Sequence, residues 1–179
     1  TVDGLVIQPL YTDRGDAPEP GLPGAAPFTR GTTPLAHRRY GWDVRQRVLA
    51  TADTGEVARR VLDELERGAT SVLLDMSDVG IVDVDDLDAA LDGVLLDIAA
   101  VVPSNAADQV AAATAMLDLL ARRGISPDDA ATALGLDPIG RWATTALGDV
   151  AADIAATTDV ARRCAGDFPE VRSIVVDAT

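Results

Sequence analysis

From Trp42 onward, short apolar runs alternate with longer stretches of helical periodicity, and this feature constrains the fold most. Residues 70–76 form a continuous apolar run, typical of a strand that is covered on both faces. Residues 54–67 repeat apolar side chains every four positions, with Asp53 or Thr54 as the N-cap and Gly68 at the end, which predicts an amphipathic helix. Strands separated by such helices predict a parallel sheet with right-handed crossovers.

The same pattern continues to the end of the chain and gives four to five β-α units. The predicted strands cover residues 43–49, 70–76, 93–102, 134–137 and 172–177. The predicted helices cover residues 54–67, 84–92, 104–123 (with Ser104 as its cap) and 149–165, and residues 126–133 are predicted to form a capped helical turn. The last strand has no following helix to cover it, which predicts that the fold continues beyond Thr179. A (β/α)8 barrel needs about 250 residues, so we expect α/β architecture of the TIM-barrel type, here about its first five units.

Residues 1–41 have a different composition. They hold six of the chain's 10 prolines, six glycines and several apolar side chains, among them Leu5, Ile7 and Phe28. Proline prevents regular helix here, and a free linker would not need the apolar residues. We therefore expect two regions: an extended arm over residues 1–41 that lies on a partner chain or on the protein itself, and a barrel region over residues 42–179. A flexible linker is the alternative.

The charge balance excludes several classes of function. The formal net charge is −14, and the 15 basic residues are all arginine. Such an acidic chain does not suit nucleic acid or an anionic membrane, which require a basic surface. The absence of lysine excludes Schiff-base chemistry and a P-loop, and a single His excludes a His/Cys zinc site. One cysteine and no membrane-spanning apolar run fit a cytoplasmic location.

Four aspartates each close an apolar run: Asp75, Asp97, Asp137 and Asp177. In a parallel barrel the carboxyl ends of the strands converge, so these carboxylates could bind a metal or another cation. The alternative is that each one caps the loop or helix that follows its strand.

The remaining candidates for chemistry are few. We expect His37 to be an ordinary surface or interface residue, and Cys164, near a helix C-terminus, to be structural. Five arginines lie within 18 residues of this acidic chain: Arg30, Arg38, Arg39, Arg45 and Arg47. They could receive the phosphates of a CoA-type or nucleotide ligand, or they could pair with the surplus aspartates.

One stretch carries a family resemblance. The sequence APFTRG, followed after ten residues by WDVRQ, resembles the start of the acyl-CoA mutase barrel in adenosylcobalamin-dependent methylmalonyl-CoA mutases. In that family a PF-x-RG phrase leads, ten residues later, into WTIRQ and the first barrel strand. The earlier segment GLVIQPLYT resembles the opening of the family's N-terminal arm, and the later β-α units match the family in layout.

The departures from that family concern its active site. Catalytic members carry a tyrosine directly after the Arg-Gln pair, and here that position is Arg47. The ten-residue spacer, residues 32–41, lacks the family's pattern of tyrosines and a Thr-Met pair. Residues 133–147 lack the phrase that supplies an arginine to the substrate carboxylate, and no cobalamin motif D-x-H-x-x-G occurs.

The resemblance therefore implies the non-catalytic small subunit of a heterodimeric methylmalonyl-CoA mutase. The large catalytic subunit would be its partner and would hold adenosylcobalamin, this chain holding no cofactor, metal or catalytic residue. Vestigial CoA-channel positions would be Thr33, Arg45 and Gln46, with acyl-CoA a partner only through the complex. The alternatives are a catalytically competent acyl-CoA mutase chain of unusual specificity and a stand-alone half-barrel binding module.

Overall fold

The computed structural model describes residues 21–30, 43–77, 79, 83–105, 107–130, 132–146 and 148–175. The chain divides into two compact units, Thr1–Trp42 and Asp43–Thr179. In the first unit, the described residues form turns that leave Leu22 and Phe28 exposed. Most of the predicted arm lies outside the described residues.

The second unit alternates strands and helices as the sequence predicts. Its elements are β1 Arg45–Leu49, α1 Thr54–Glu66, β2 Ser71–Asp75, α2 Val84–Ala90, β3 Ala100–Ser104, α3 Gln109–Arg122, β4 Ala133–Leu136, α4 Pro138–Thr145, α5 Val150–Asp167 and β5 Arg172–Ile174. The strands form a sheet of order β1-β2-β3 and a sheet of β4 and β5, and every pairing is parallel. The α/β class with parallel strands is thus confirmed.

Aspartate begins every helix of this unit. Asp53, Asp83, Asp108, Asp137 and Asp149 are the N-caps of α1 to α5, and each side chain accepts a hydrogen bond from a backbone N–H of the first turn. Such caps satisfy donors that have no partner within the helix, and they place a negative charge at the positive end of the helix dipole. Part of the acidic excess therefore has a structural use.

The core lies between the helices and one face of the first sheet. Side chains alternate between the two faces of a strand, and the even-numbered positions of β1 and β2 point toward the helices. Buried residues on this side include Val48, Val72, Leu74, Val57 of α1 and Met116 of α3. The odd-numbered positions, with polar residues at both ends, occupy the other face.

A seam separates the two sheets. β3 and β4 lie side by side, but no main-chain ladder joins them. Pro103 in β3 has no N–H to donate. Gly135 in β4 comes so close that an added Cβ would lie 3.3 Å from the Pro103 carbonyl oxygen. The Thr132 hydroxyl, just before β4, donates instead to the carbonyl oxygen of Val101.

Residues 93–102 do not form the predicted buried strand. Residues 93–99 form turns, and β3 begins only at Ala100. Gly93 adopts a left-handed φ of +78°, and Leu95 accepts backbone hydrogen bonds from Ile98 and Ala99, so the chain turns before it enters the sheet. A short apolar run does not distinguish these two outcomes.

Three other features of the structure differ from the sequence prediction. Ser104 ends β3 and does not cap a helix, because α3 begins only after Asp108. Helix α4 was not predicted, although Asp137 followed by Pro138 is a helix-start signal. The last strand, β5, is not buried as expected, since Arg172 and Ile174 are exposed.

Candidate functional site at the strand ends

The carboxyl ends of β1, β2 and β3 lie in register at one edge of the sheet. Leu49 pairs with Asp75, and Asp75 pairs with Ser104. We call this edge the carboxyl edge. Active sites of parallel α/β proteins are built here, because the loops that follow the strands meet at this edge.

Arg47 and Asp75 form an ion pair at the carboxyl edge. The Arg47 Nε donates to Asp75 Oδ2 at 3.0 Å, and Arg47 Nη2 donates to the same oxygen. The other carboxylate oxygen of Asp75 accepts from the Ser77 backbone N–H at 3.0 Å. The Asp75 side chain is only 9% exposed, whereas that of Arg47 is 64% exposed. The buried carboxylate is therefore fully engaged by its neighbours.

These contacts keep Asp75 ionised. Burial by itself would raise the pKa of Asp75, but hydrogen bonds from Ser77 and Arg47 and the guanidinium charge outweigh it, and the pKa falls below its ordinary value of 3.8. A carboxylate with a lowered pKa that is bonded on both oxygens is a poor general acid or base at neutral pH. The pair can hold the strand ends together, but it cannot readily exchange protons.

Arg45 lies on the same face at the amino edge, where the strands begin. Its Nε donates to the Ser71 hydroxyl at 2.9 Å, and its Nη2 donates to Asp43 at 3.0 Å. Asp43 also accepts from the Thr70 hydroxyl at 2.8 Å. Burial would raise the pKa of Asp43, but the bonds from Thr70, Ser71 and Arg45 lower it. Both β1 arginines thus pair with neighbours in the same unit.

Of the three predicted CoA-channel positions, the structure describes only Arg45 and Gln46. Arg45 and Gln46 are consecutive in β1 and point to opposite faces of the sheet. Thr33 lies outside the described residues, as do His37, Arg38 and Arg39. A CoA contact at Thr33, Arg45 and Gln46 stays a prediction.

The strand-end aspartates do not form one cluster. Asp97 lies in the turn before β3, at the amino edge, and not at a strand end as expected. Asp137 caps α4 and accepts from the Gly140 backbone N–H at 2.8 Å. Asp177 lies outside the described residues. Across the residues that the structure describes, no three His, Cys, Asp or Glu side chains are grouped to hold a metal ion. For Asp75 and Asp137 the capping alternative is confirmed.

Two further features complete the survey of polar sites. A cavity of about 170 Å³ lies where α3 begins, against α4 and α5. Arg141, which lines the cavity, donates to the Asp153 carboxylate at 2.6 Å and to the Ala107 carbonyl oxygen at 3.1 Å. Arg141 and Asp153, which both line the cavity, are therefore paired with each other. Cys164 is buried, and burial together with Asp167 raises the pKa of its thiol. The cysteine is therefore structural, as predicted.

Comparison with known proteins shows which proteins this chain is similar to. A family model described as methylmalonyl-CoA mutase matches residues 1–79. A methylmalonyl-CoA mutase small subunit of Streptomyces virginiae is 41% identical over 176 residues, which are 98% of this chain and 28% of that relative. The chain is similar in sequence to this small subunit over nearly its whole length. The resemblance found in residues 26–46 is thereby confirmed.

Other small subunits agree with this assignment. The one from Propionibacterium freudenreichii subsp. shermanii is 39% identical over 179 residues, 99% of this chain and 27% of that relative. A probable small subunit of Mycobacterium tuberculosis strain H37Rv is 36% identical over 179 residues, 99% of this chain and 28% of the relative. The chain thus spans little more than a quarter of the length of these mutase small subunits. Among the described residues, no helix has the length and apolar character needed to cross a membrane.

Proposed function

We propose that this chain is part of a non-catalytic small subunit of a methylmalonyl-CoA mutase. It supports a large catalytic subunit, and the assembled enzyme interconverts methylmalonyl-CoA and succinyl-CoA. In the whole subunit, β1 to β5 are the first strands of a (β/α)8 barrel. The observation that carries the proposal is the Arg47–Asp75 pair. By the family resemblance, Arg47 stands where catalytic members have a tyrosine.

The pair is unsuited to the chemistry of the catalytic members. A radical rearrangement of an acyl-CoA needs a site that excludes water and places neutral groups against the reacting carbons. Arg47 instead brings a charged side chain, 64% exposed, to the carboxyl edge and fixes it on Asp75. Asp75 holds its charge at neutral pH, since hydrogen bonds from Ser77 and Arg47 outweigh its burial and lower its pKa.

Adenosylcobalamin, in this proposal, is bound by the large subunit. When bound, it supplies the organic radical that starts the rearrangement. A corrin ring requires a broad apolar surface, whereas the open face of β1 and β2 carries Arg45, Arg47, Ser71 and Asp75 in polar pairs. These polar pairs do not suit the cofactor, and no step of the reaction is assigned to them.

We propose that residues 1–41 form the arm that contacts the large subunit. Leu22 is 74% exposed and Phe28 is 51% exposed in the turns of residues 21–30, so both are available for burial by another chain. The acyl-CoA is bound by the large subunit, because Arg45 is already bonded to Ser71 and Asp43.

The proposal is tested by the mutase activity of the assembled complex. The small subunit that contains this chain is co-expressed with its large subunit, and turnover is measured per assembled complex. Arg47→Met is expected to leave turnover within about two-fold of wild type, since a non-catalytic pair lies far from any reacting atom. The matched control replaces the corresponding tyrosine of the large subunit with Phe, which is expected to lower turnover strongly.

Three results would contradict the proposal. The first is a large loss of turnover in Arg47→Met with the complex intact. The second is mutase turnover by the isolated small subunit with adenosylcobalamin, which would support a catalytically competent chain. The third is failure of the wild-type small subunit to bind the large subunit, which would support an independent binding module.

A further inference from the structure

The turn between α2 and β3 presents two large apolar side chains to solvent. We call residues 92–98 the Leu95 turn. Leu95 is 62% exposed and Ile98 is 65% exposed. Single exposed apolar residues are common on protein surfaces, but two within four residues of one short turn form a small contiguous patch.

The Leu95 turn packs against the core and against α1. Val94 and Leu96 are buried in the core and alternate with the exposed residues. Gly93, at φ +78°, lies so close to α1 that an added Cβ would be 3.2 Å from Leu62 Cδ1. The Ile98 N–H donates to the Leu95 carbonyl oxygen at 3.1 Å. The exposure of Leu95 and Ile98 is therefore a property of a well-packed turn.

Arg123, at the end of α3, fastens the turn to its neighbours. Its Nη1 donates to the Val94 carbonyl oxygen at 2.9 Å, and its Nη2 donates to the Leu91 carbonyl oxygen at 3.0 Å. Its Nε donates to the Asp88 carboxylate at 2.7 Å. A guanidinium that uses its fork in this way fixes backbone positions on both sides of Gly93.

The charges beside the exposed pair have no partner in the described part of the chain. Asp92 and Asp97 are exposed, and neither side chain forms a hydrogen bond or ion pair with a described residue. A second exposed apolar pair, Ile139 and Trp142 on α4, differs in this respect. Its neighbouring Arg141 is already bonded to Asp153. The Leu95 turn therefore combines exposed apolar groups with carboxylates that have no partner among the described residues.

We propose that the Leu95 turn is a docking surface for the large mutase subunit. The partner surface is apolar and carries arginine or lysine at its rim, complementary to Asp92 and Asp97. Leu95 and Ile98 enter the apolar centre. Because the turn is already ordered, little conformational entropy is lost on binding. This inference rests on the proposed function and assigns it one contact surface outside the arm.

The test measures affinity between the complete small subunit and the large subunit. Leu95→Ser/Ile98→Ser is expected to weaken binding about ten-fold or more, as loss of two central apolar contacts does at other interfaces. Asp92→Arg/Asp97→Arg is expected to weaken it as well, with a loss that shrinks at high salt. The matched control, Ile139→Ser/Trp142→Ser, is expected to bind within about two-fold of wild type. Circular dichroism checks that each variant is folded.

A second measurement asks what covers the turn. Leu95→Cys is expected to react with a thiol reagent in the free small subunit and to be protected in the complex, as read from the mass of the tryptic peptide of residues 68–122. Protection already in the free small subunit would mean that the same polypeptide or a second copy covers the turn, and the inference would fall.

The outcomes separate this inference from the proposed function. If wild type binds the large subunit and Leu95→Ser/Ile98→Ser binds equally well, the docking surface is wrong and the proposed function stands. If wild type itself does not bind, both fall. Selective loss in the Leu95 and Asp92 variants, with the α4 control unchanged, supports both.

Discussion

The two edges of the first sheet use their polar and apolar residues in opposite ways. At the carboxyl edge, Arg47 and Asp75 satisfy each other, and Asp75 is buried. At the amino edge, the Leu95 turn leaves two apolar side chains and two carboxylates exposed. In parallel α/β proteins the carboxyl edge usually carries the active site, and here its charged groups pair with each other. The amino edge usually serves stability, and here it carries exposed apolar side chains and carboxylates without a partner among the described residues. In this chain, the Leu95 turn, which could contact another protein, lies at the amino edge and not at the edge where an active site is expected.

The largest expected effect comes from removing the hydrogen bonds by which Arg123 holds the Leu95 turn. Arg123→Met is expected to lower the free energy of unfolding by about 2–4 kcal/mol, because it removes the hydrogen bonds that the guanidinium donates to the Val94 and Leu91 carbonyls and to the Asp88 carboxylate. Chemical denaturation measures the loss. Arg122→Met, one position earlier, removes a more exposed guanidinium and is expected to have a much smaller effect. Equal losses would mean that Arg123 does not hold the turn.

A second substitution sharpens the same point at the backbone. Gly93→Ala is expected to cost about 1–3 kcal/mol, because alanine is strained at φ +78° and its Cβ would crowd Leu62. Gly124→Ala is the control, since Gly124 is also left-handed, at φ +64°, but has open space around it. Its expected cost is about 1 kcal/mol. Unfolding free energies that do not differ between the two would show that packing against Leu62 is unimportant.

At the carboxyl edge the expected effect is smaller and depends on pH. Arg47→Met is expected to cost about 1–2 kcal/mol at neutral pH, a value limited by the solvent exposure of Arg47. The lowered pKa of Asp75 stabilises the folded state above its ordinary value of 3.8, and this contribution is lost as pH falls through the lowered pKa. Without Arg47 the pKa of Asp75 rises, so the loss occurs at higher pH.

Two measurements check this expectation. Carboxyl NMR titration follows the pKa of Asp75, and denaturation over a pH series follows stability. Arg59→Met provides the control, because Arg59 is exposed on α1 and forms no ion pair with a described residue. An Asp75 pKa that is the same in wild type and Arg47→Met would show that Ser77 alone holds the carboxylate.

The smallest expected effect concerns the exposed side chains themselves. Leu95→Ser/Ile98→Ser is expected to change the unfolding free energy by less than about 0.5 kcal/mol, because both residues are already in water. Leu96→Ala, between them, removes a buried side chain and is expected to cost about 2–4 kcal/mol. A large loss in the double variant would mean that Leu95 and Ile98 pack against this chain.

The contrast between the edges also separates what the sequence predicts from what it does not. Helix α1 and strand β2 follow from local pattern and capping, with Asp53 and Gly68 marking the helix ends. The special position of Arg47 follows from the family resemblance. Its partner Asp75, 28 residues away, does not, because only the parallel register of β1 and β2 brings them together.

The errors have a shared physical cause. In residues 93–99 buried and exposed side chains alternate as in a strand, and only the left-handed Gly93 indicates a turn. Helix α4 has a glycine inside it and no buried residue, so its apolar pattern does not report a core. In both places some of the apolar residues face solvent, Leu95 and Ile98 in the turn and Ile139 and Trp142 in α4, so an apolar pattern does not by itself indicate burial.

The seam between β3 and β4 has a consequence for how the molecule opens. Because no hydrogen-bonded ladder joins β3 and β4, the two sheets can separate while the hydrogen bonds within each sheet stay intact. Amide protons of β4 and β5 can then exchange with solvent through fluctuations that leave β1 to β3 intact. We therefore expect amide protons of β4 and β5 to exchange faster than those of β1 to β3.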